Sequence, residues 1–343
     1  MNDKSPSAVS PALSQNAPHR PWLVADIGGT NARFGWVGEG SDEVQHVTTL
    51  RSAEHASPAA AARHYLTGLS TRLGPAYVPP CAGAFAVATA VGGDTVVFTN
   101  SGWSFSQQAT RRELGLSDLL ILNDFEALAL SLPRLRSKQL NPIGTALATA
   151  VPGALAVIGP GTGLGVAGIV PTAHGWVALG TEGGHTSFSP RDEREIAILR
   201  HGLKQYPHLS HERLLSGPGM ELVHRALRDH AGLPAQALAA PEITRRALDG
   251  SCAVCAETLE AFCAMLGTMA ANLAVTLGAL GGIYIGGGIV PRFGPRFFES
   301  RFRERFEAKG RFQPYLAAIP TALITDTLAA LTGAVLALEQ HGR

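Results

Sequence analysis

Two short glycine turns constrain this chain most. The first, Asp26-Ile27-Gly28-Gly29-Thr30-Asn31, lies between the apolar runs Trp22-Leu23-Val24-Ala25 and Phe34-Gly35-Trp36-Val37. The second, Gly159-Pro160-Gly161-Thr162-Gly163-Leu164-Gly165, lies between Leu155-Ala156-Val157-Ile158 and Val166-Ala167-Gly168-Ile169-Val170. An apolar run, a glycine bend and a second apolar run read as a tight β-hairpin. The same device occurring twice predicts two related halves facing one another. Glycine lets a backbone approach a ligand closely, and successive N–H groups at such a bend form an anion nest. Thr30 and Thr162 add a hydroxyl donor to each turn. Phosphate is the ligand that these turns suggest first, and Gly28, Gly29, Gly161 and Gly163 are the glycines expected to tolerate substitution least.

A chain of 343 residues exceeds what one core usually supports, so two lobes are expected. With 45% hydrophobic residues, 16% charged residues and a net charge of +1, the composition suits a compact soluble enzyme. It lacks the basic excess of a nucleic-acid binder. The four lysines are Lys4, Lys138, Lys204 and Lys309, and none follows a glycine-rich loop as Gly-Lys-Ser/Thr. A P-loop is therefore excluded. ATP, if bound, would be held by backbone amides and a metal ion. Residues 1–20 are rich in Ser, Ala, Pro and Asn without an apolar core, and read as a disordered tail rather than a signal peptide. Residues 261–291 carry no charged side chain, but seven glycines divide them into a helix and a separate short strand. A buried helix–strand unit explains them better than a membrane span. Cys81, Cys252, Cys255 and Cys263 form no disulfide framework, and Cys252-x-x-Cys255 has no partner pair for zinc. The expected location is cytoplasmic.

Helical spacing marks residues 57–73, with Ser57 as N-cap and Pro58 in the first turn. Residues 84–91 read as a strand, Gly92-Gly93-Asp94 as a turn and 95–98 as its hairpin partner. A short helix at 107–114 precedes a buried strand, 119–122, that runs into Asn123-Asp124 and a helix ending before Pro133. Residues 141–153 read as a linker and 176–179 as a strand. Helices follow at 192–203, 219–230, 241–248 and 254–280, then a strand at 282–286. A basic, aromatic stretch (292–311) and a last helix (327–340) close the chain. Hairpins leading into further strands, with helices after them in each half, indicate a duplicated, two-lobed α/β fold with a cleft. The expected domains are a small one (21–134 with 325–343) and a large one (135–324), after the tail.

Several side chains are candidates for chemistry. Asp124 stands at the end of a buried strand, where open α/β sheets place ligands. It suits the acceptor of a hydroxyl proton in phosphoryl transfer, with the Asn123 amide fixing a neighbouring hydroxyl. Equally, Asn and Asp cap helices routinely. Glu182-Gly183-Gly184-His185 offers a carboxylate and an imidazole that suit the vicinal hydroxyls of a sugar, although a plain loop explains the motif as well. Glu212 by itself reads as a solvated charge. Gly286, Gly287 and Gly288 at a strand's end allow a flat ring or a phosphate to lie against the backbone. Asp26 can hold Mg²⁺ against phosphates, or simply bond its own turn.

In this order, these pieces resemble the bacterial glucokinases, ATP-dependent kinases of the actin/hexokinase/heat-shock-chaperone superfamily. The resemblance runs from Trp22 to Gly333. It rests on residues 26–33, Thr99-Asn100 with Trp103, 122–125, 159–168, 182–185, 212–219 and 281–293. It implies a duplicated ribonuclease H-like fold whose lobes close over the sugar, and transfer of the ATP γ-phosphate to the 6-hydroxyl of glucose. It further implies Asp124 as general base, and Asn100, Asn123, Glu182, His185 and Glu212 as glucose ligands. The turns Asp26, Ile27, Gly28, Gly29, Thr30, Asn31 and Gly161, Thr162, Gly163 would hold phosphates, and Gly286, Gly287 and Gly288 would lie near adenosine. The cofactors implied are ATP and Mg²⁺. Relatives of this kind are often homodimers; residues 297–312 offer a candidate interface, although amphipathic surface helices explain such a stretch more often. The related repressor/open-reading-frame/kinase group carries a cysteine-rich zinc motif beside its histidine. Here His185 is followed by Thr186-Ser187-Phe188, so zinc is not expected. Two readings stand beside this one: a kinase for another hexose or amino sugar, and a non-catalytic sugar or nucleotide sensor of the same fold.

Overall fold

Both glycine bends are hairpins in the computed structural model, which describes residues 20–98, 102–144 and 152–341. Strand β1 (Trp22–Ile27) pairs antiparallel with β2 (Asn31–Val37), so that Trp22 faces Val37 and Ile27 faces Ala32. Strand β3 (Gln45–Arg51), which sequence periodicity does not reveal, pairs antiparallel with β2. Helix α1 (Pro58–Leu73) begins as expected, with the Ser57 hydroxyl accepting the Ala60 N–H at 3.1 Å. Strand β4 (Ala82–Val87) lies parallel to β1. It ends at Val87, short of the expected residue 91, because the Thr89 N–H turns back to the Val87 carbonyl at 2.8 Å.

The short strand β5 (Thr95–Val97) corrects a second expectation. It pairs with β6 (Ser104–Ser106), not with the strand before the Gly92-Gly93-Asp94 turn. Aromatic contact explains the choice. Phe98, Trp103 and Phe105 are all buried, with the Phe98 ring 6.1 Å from Trp103 and 6.2 Å from Phe105. Helix α2 (Gln107–Glu113) then leads to β7 (Asp118–Asn123), parallel to β4, and helix α3 (Asp124–Ser131) follows directly. The resulting five-stranded sheet has the order β3-β2-β1-β4-β7.

The second sheet repeats this plan. Within the span read as a linker, β8 (Leu140–Pro142) is an edge strand. Next, β9 (Leu155–Pro160) and β10 (Leu164–Thr172) form the second hairpin, and β11 (Gly175–Thr181) lies beside β10. Four helices come next: α4 (Glu193–Leu203), α5 (Gly217–His230), α6 (Ala240–Leu248) and α7 (Ala253–Leu277). Strand β12 (Gly282–Ile285) returns parallel to β9. Short helices α8 (Pro295–Phe298), α9 (Phe302–Glu307) and α10 (Gln313–Ala317) precede β13 (Thr321–Ile324), which lies parallel to β12 and antiparallel to β8. Helix α11 (Ala329–Gln340) follows. The order is β11-β10-β9-β12-β13-β8. In each sheet an antiparallel hairpin thus leads into two further parallel strands.

The chain divides into two compact units, residues 1–124 with 173–175 and 334–343, and residues 125–172 with 176–333. Each has its own apolar core. In the first, Phe34 stacks on Tyr65 at 5.6 Å and meets Phe85 edge-on at 6.2 Å. The second is built around α7, one helix among the described residues that is long and apolar enough to cross a membrane. Of its most apolar window, 83% is buried inside the unit, so it is a core helix. It ends at Gly278 (φ 59°), before the expected residue 280, in the left-handed cap that glycine favours.

Candidate active site

In the first unit the β1–β2 bend is closed from within. The Gly28 N–H donates to the Asn31 carbonyl at 2.9 Å, and the Ser52 hydroxyl donates to the Gly28 carbonyl at 3.1 Å. Ile27 is wholly buried, so only its backbone can serve a ligand, whereas Thr30 and Asn31 are exposed. A methyl group added at Gly28 would meet nothing nearer than the Asn31 carbonyl at 3.5 Å. That space is open for a ligand. Asp26 faces Arg33 across the hairpin, with Oδ2 3.4 Å from the guanidinium Nη1. Burial pushes the Asp26 carboxyl above the usual carboxylate range, and Arg33 offsets part of this. Asp26 keeps this ion pair, and its partly exposed carboxylate is the group on this bend that would hold a divalent ion. Among the described residues no three His, Cys, Asp or Glu side chains form a metal cage. Mg²⁺ needs none, since it takes one or two carboxylates together with phosphates and water.

At the same strand end of this sheet, in register with Ile27 through Val87 of β4, Asn123 is the last residue of β7 and Asp124 the first of α3. The Asn123 amide donates to the Thr89 carbonyl at 3.2 Å. Asn100 lies outside the described residues.

The second unit gathers the remaining candidates. Loop 182–188 and loop 208–212 lie side by side, joined by Phe188 N–H to Leu209 O at 2.9 Å, His211 N–H to Thr186 O at 3.0 Å and Glu212 N–H to Gly184 O at 2.9 Å. This ladder brings His185 Nε2 within 3.9 Å of both Glu182 Oε2 and Glu212 Oε1. Two carboxylates and an imidazole thus converge, with Glu182 and His185 well exposed and Glu212 only 28% exposed. Gly184 permits the approach, because a side chain there would collide with the Leu164 carbonyl.

The second glycine turn adjoins this cluster. The Leu164 N–H donates to Glu212 Oε2 at 3.0 Å, and Gly163 comes so close that an added methyl would sit 2.5 Å from the same oxygen. The Gly161 N–H closes its own turn onto Gly163 O at 2.8 Å, while Gly217 N–H, in the first turn of α5, donates to Gly161 O at 2.9 Å. A methyl group added at Gly161 meets nothing within 4 Å. Glu212, by itself a solvated charge in the sequence and a glucose ligand by resemblance, is therefore the link between the turn and the Glu182–His185 loop.

The three glycines after β12 differ in what they do. Gly286 is covered by Leu128 of α3, 2.7 Å from where its Cβ would be. Gly287 is left-handed (φ 78°) and lies against the Pro160 carbonyl, 2.5 Å from an added methyl. Gly288 alone has open space around it. Of the three, only Gly288 leaves room for a ligand.

Sequence reasoning did not find the pocket beside this turn, lined by Thr162, Tyr206, Glu212, Arg213, Ser216 and the start of α5. The Arg213 guanidinium lies 4.5 Å from the Tyr206 ring centre, a contact between positions with no periodic relation in sequence. The helix beside it begins at Gly217, two residues before the expected 219, because the Ser216 hydroxyl caps it by accepting the Gly219 N–H.

The glucokinase family model matches residues 23–341. The chain belongs to the glucokinase family. Within the family it is 49% identical over 321 residues to a glucokinase of Chromobacterium violaceum, covering 94% of this chain and 90% of that one. It is 48% identical over 328 residues to a bifunctional protein of Burkholderia thailandensis, of which it spans 50%. Among solved structures, a glucokinase from an Antarctic psychrotroph superposes with a TM-score of 0.84 at 38% identity, covering 94% of this chain and 99% of that one.

Proposed function

We propose that this chain transfers the γ-phosphoryl group of ATP to the 6-hydroxyl of D-glucose, giving glucose 6-phosphate and ADP. In a chain of the glucokinase family, the observation that carries this reading is the meeting of Glu182, His185 and Glu212 beside the Gly161-Thr162-Gly163 turn. Carboxylates accept hydrogen bonds from sugar hydroxyls, and an imidazole donates or accepts as the tautomer allows. These three side chains hold the hydroxyls of the ring, with Asn123 and Asn100 as further ligands. The turns 26–31 and 161–163 hold phosphates, and Gly288 leaves room for the nucleoside.

Asp124 accepts the proton of the 6-hydroxyl. The 6-oxygen forms its bond to the γ-phosphorus as the bond to the β–γ bridging oxygen breaks, and that electron pair leaves with ADP. Positioning supplies most of the acceleration, because phosphoryl transfer leaves little covalent chemistry for a protein to do. The residue that would hold Mg²⁺ is Asp26, and the ion, when bound, supplies positive charge to the β- and γ-phosphates. The repeated strand order supports a duplicated ribonuclease H-like fold of the actin/hexokinase type. A cytoplasmic homodimer completes the reading.

Steady-state turnover with ATP across glucose, mannose, fructose and N-acetylglucosamine tests the substrate. Glucose is expected to give the highest kcat/KM, and equal turnover of fructose would overturn the assignment. For the base, Asp124→Ala is expected to lower kcat by about 10²–10⁴-fold, the usual share of general-base catalysis, with glucose binding retained. Substantial residual turnover would remove Asp124 from that role.

A further inference from the structure

Phe125 follows Asp124 and occupies an unusual seat. Gly159 and Gly165 face one another across β9 and β10, on either side of the 160–164 bend. A methyl group at Gly159 would lie 2.7 Å from Phe125 Cζ and 2.8 Å from Cε1, and one at Gly165 would collide with the edge of the same ring. The ring therefore rests directly on the backbone of this cross-strand pair. Neither glycine has a left-handed φ, so conformation does not demand them. The ring does. The rest of α3 is seated in the same way, with Leu128 over Gly286 and Gly333 against the Ala127 carbonyl. Four glycines from three places in the chain thus lack side chains where one eight-residue helix passes.

We propose that Phe125 is a positioning residue for the reaction: its ring, seated on Gly159 and Gly165, fixes the first turn of α3, whose first residue is Asp124, on the hairpin that bends at residues 161–163. A ring with only two side-chain torsions, pressed onto backbone, permits little rocking of that turn. Small errors in the placement of a reacting group reduce rate far more than affinity. The inference rests on the reading of Asp124 as the base.

Steady-state kinetics and glucose titration by calorimetry on Phe125→Leu, Gly165→Ala, the double variant and Asp124→Asn provide the test. Phe125→Leu is expected to lower kcat about 10-fold or more, with glucose Kd and ATP KM within about twofold, because alignment and not binding is lost. Gly165→Ala is expected to act alike by displacing the ring. In the double variant the smaller side chain leaves room for the methyl, so the loss is expected to be smaller than the product of the single losses. Phe125→Met serves the same purpose if Phe125→Leu does not fold. An unchanged kcat per glucose-binding molecule, or losses that simply multiply, would overturn the proposal. Asp124→Asn separates the two failures. If it keeps its turnover, the base reading falls and this inference with it; if it is inactive while the Phe125 variants match the parent, only the positioning role falls.

Discussion

Gly161 and Gly163 stand in one bend, yet their surroundings assign them different work. Around Gly161 there is open space, and its φ is not left-handed. Gly161→Ala is therefore expected to leave stability within about 0.5 kcal/mol of the parent, as for ordinary surface changes. Its methyl would take space offered to a phosphate, so the ATP KM is expected to rise with the glucose KM unmoved. Gly163→Ala presses on Glu212 and displaces it from the Leu164 N–H. A hydrogen bond to a charged group contributes about 1.5–3 kcal/mol, and its loss is expected to appear mainly in the glucose KM. Initial-rate kinetics on the two variants check this separation; a Gly161→Ala enzyme impaired for glucose and normal for ATP would contradict it. At this scale the residue types of the site were readable in the sequence: acid, imidazole, glycine bend. That Glu212 belongs with His185 came from the family resemblance and not from residue spacing, because 27 residues separate them and a tertiary ladder joins them.

Helix α5 carries the clearest pH dependence. Its His224 is wholly buried, and neither ring nitrogen has a hydrogen-bond partner among the described residues. Burial pushes this imidazole below the usual histidine range, and the guanidinium groups of Arg228, Arg225 and Arg246 push the same way. Burial also lowers His211, with Lys309 acting the same way, against an opposing hydrogen bond that its ring donates to the Thr186 carbonyl. Below pH ~6.5 the unfolded chain takes up protons that these folded histidines refuse. Stability is therefore present above that pH and is lost as pH falls towards the lowered values, at up to about 1.4 kcal/mol per pH unit for each group. His224→Leu is expected to remove its share of the slope, as read by urea unfolding at successive pH values. An unaltered slope would mean that His224 does not titrate in this way. The boundary at Ser57 was legible because a cap marks it, whereas the Ser216 cap went unread and its helix starts two residues early. Partners were not: β5 chose β6 through buried aromatic rings, and β8 left a presumed linker for the edge of a sheet.

At the scale of the molecule there are two cores, each closed over its own sheet. Separate cores favour separate cooperative units over a single two-state transition. Native-state hydrogen exchange in denaturant is expected to divide the slowest amides into two sets, one from β1, β4 and β7 and one from α7, β9 and β12. One common opening free energy for all of them would show that the cores unfold as one. Glucose is expected to protect the second set more, since Glu182, His185 and Glu212 all belong to that unit.

The sequence by itself determined the two hairpins, the α/β class, the core helix and the residue types of a sugar kinase. All of these follow from local periodicity, glycine at bends and capping chemistry, which act within a few residues. The tertiary structure alone decided which residues meet. It joined Glu212 to His185 and to the second glycine turn, sorted the three glycines after β12 into three roles, and seated Phe125 on Gly159 and Gly165. The physical reason is that close approach of two backbones depends on missing side chains at positions far apart in the chain. No short window of sequence contains both sides of such a contact.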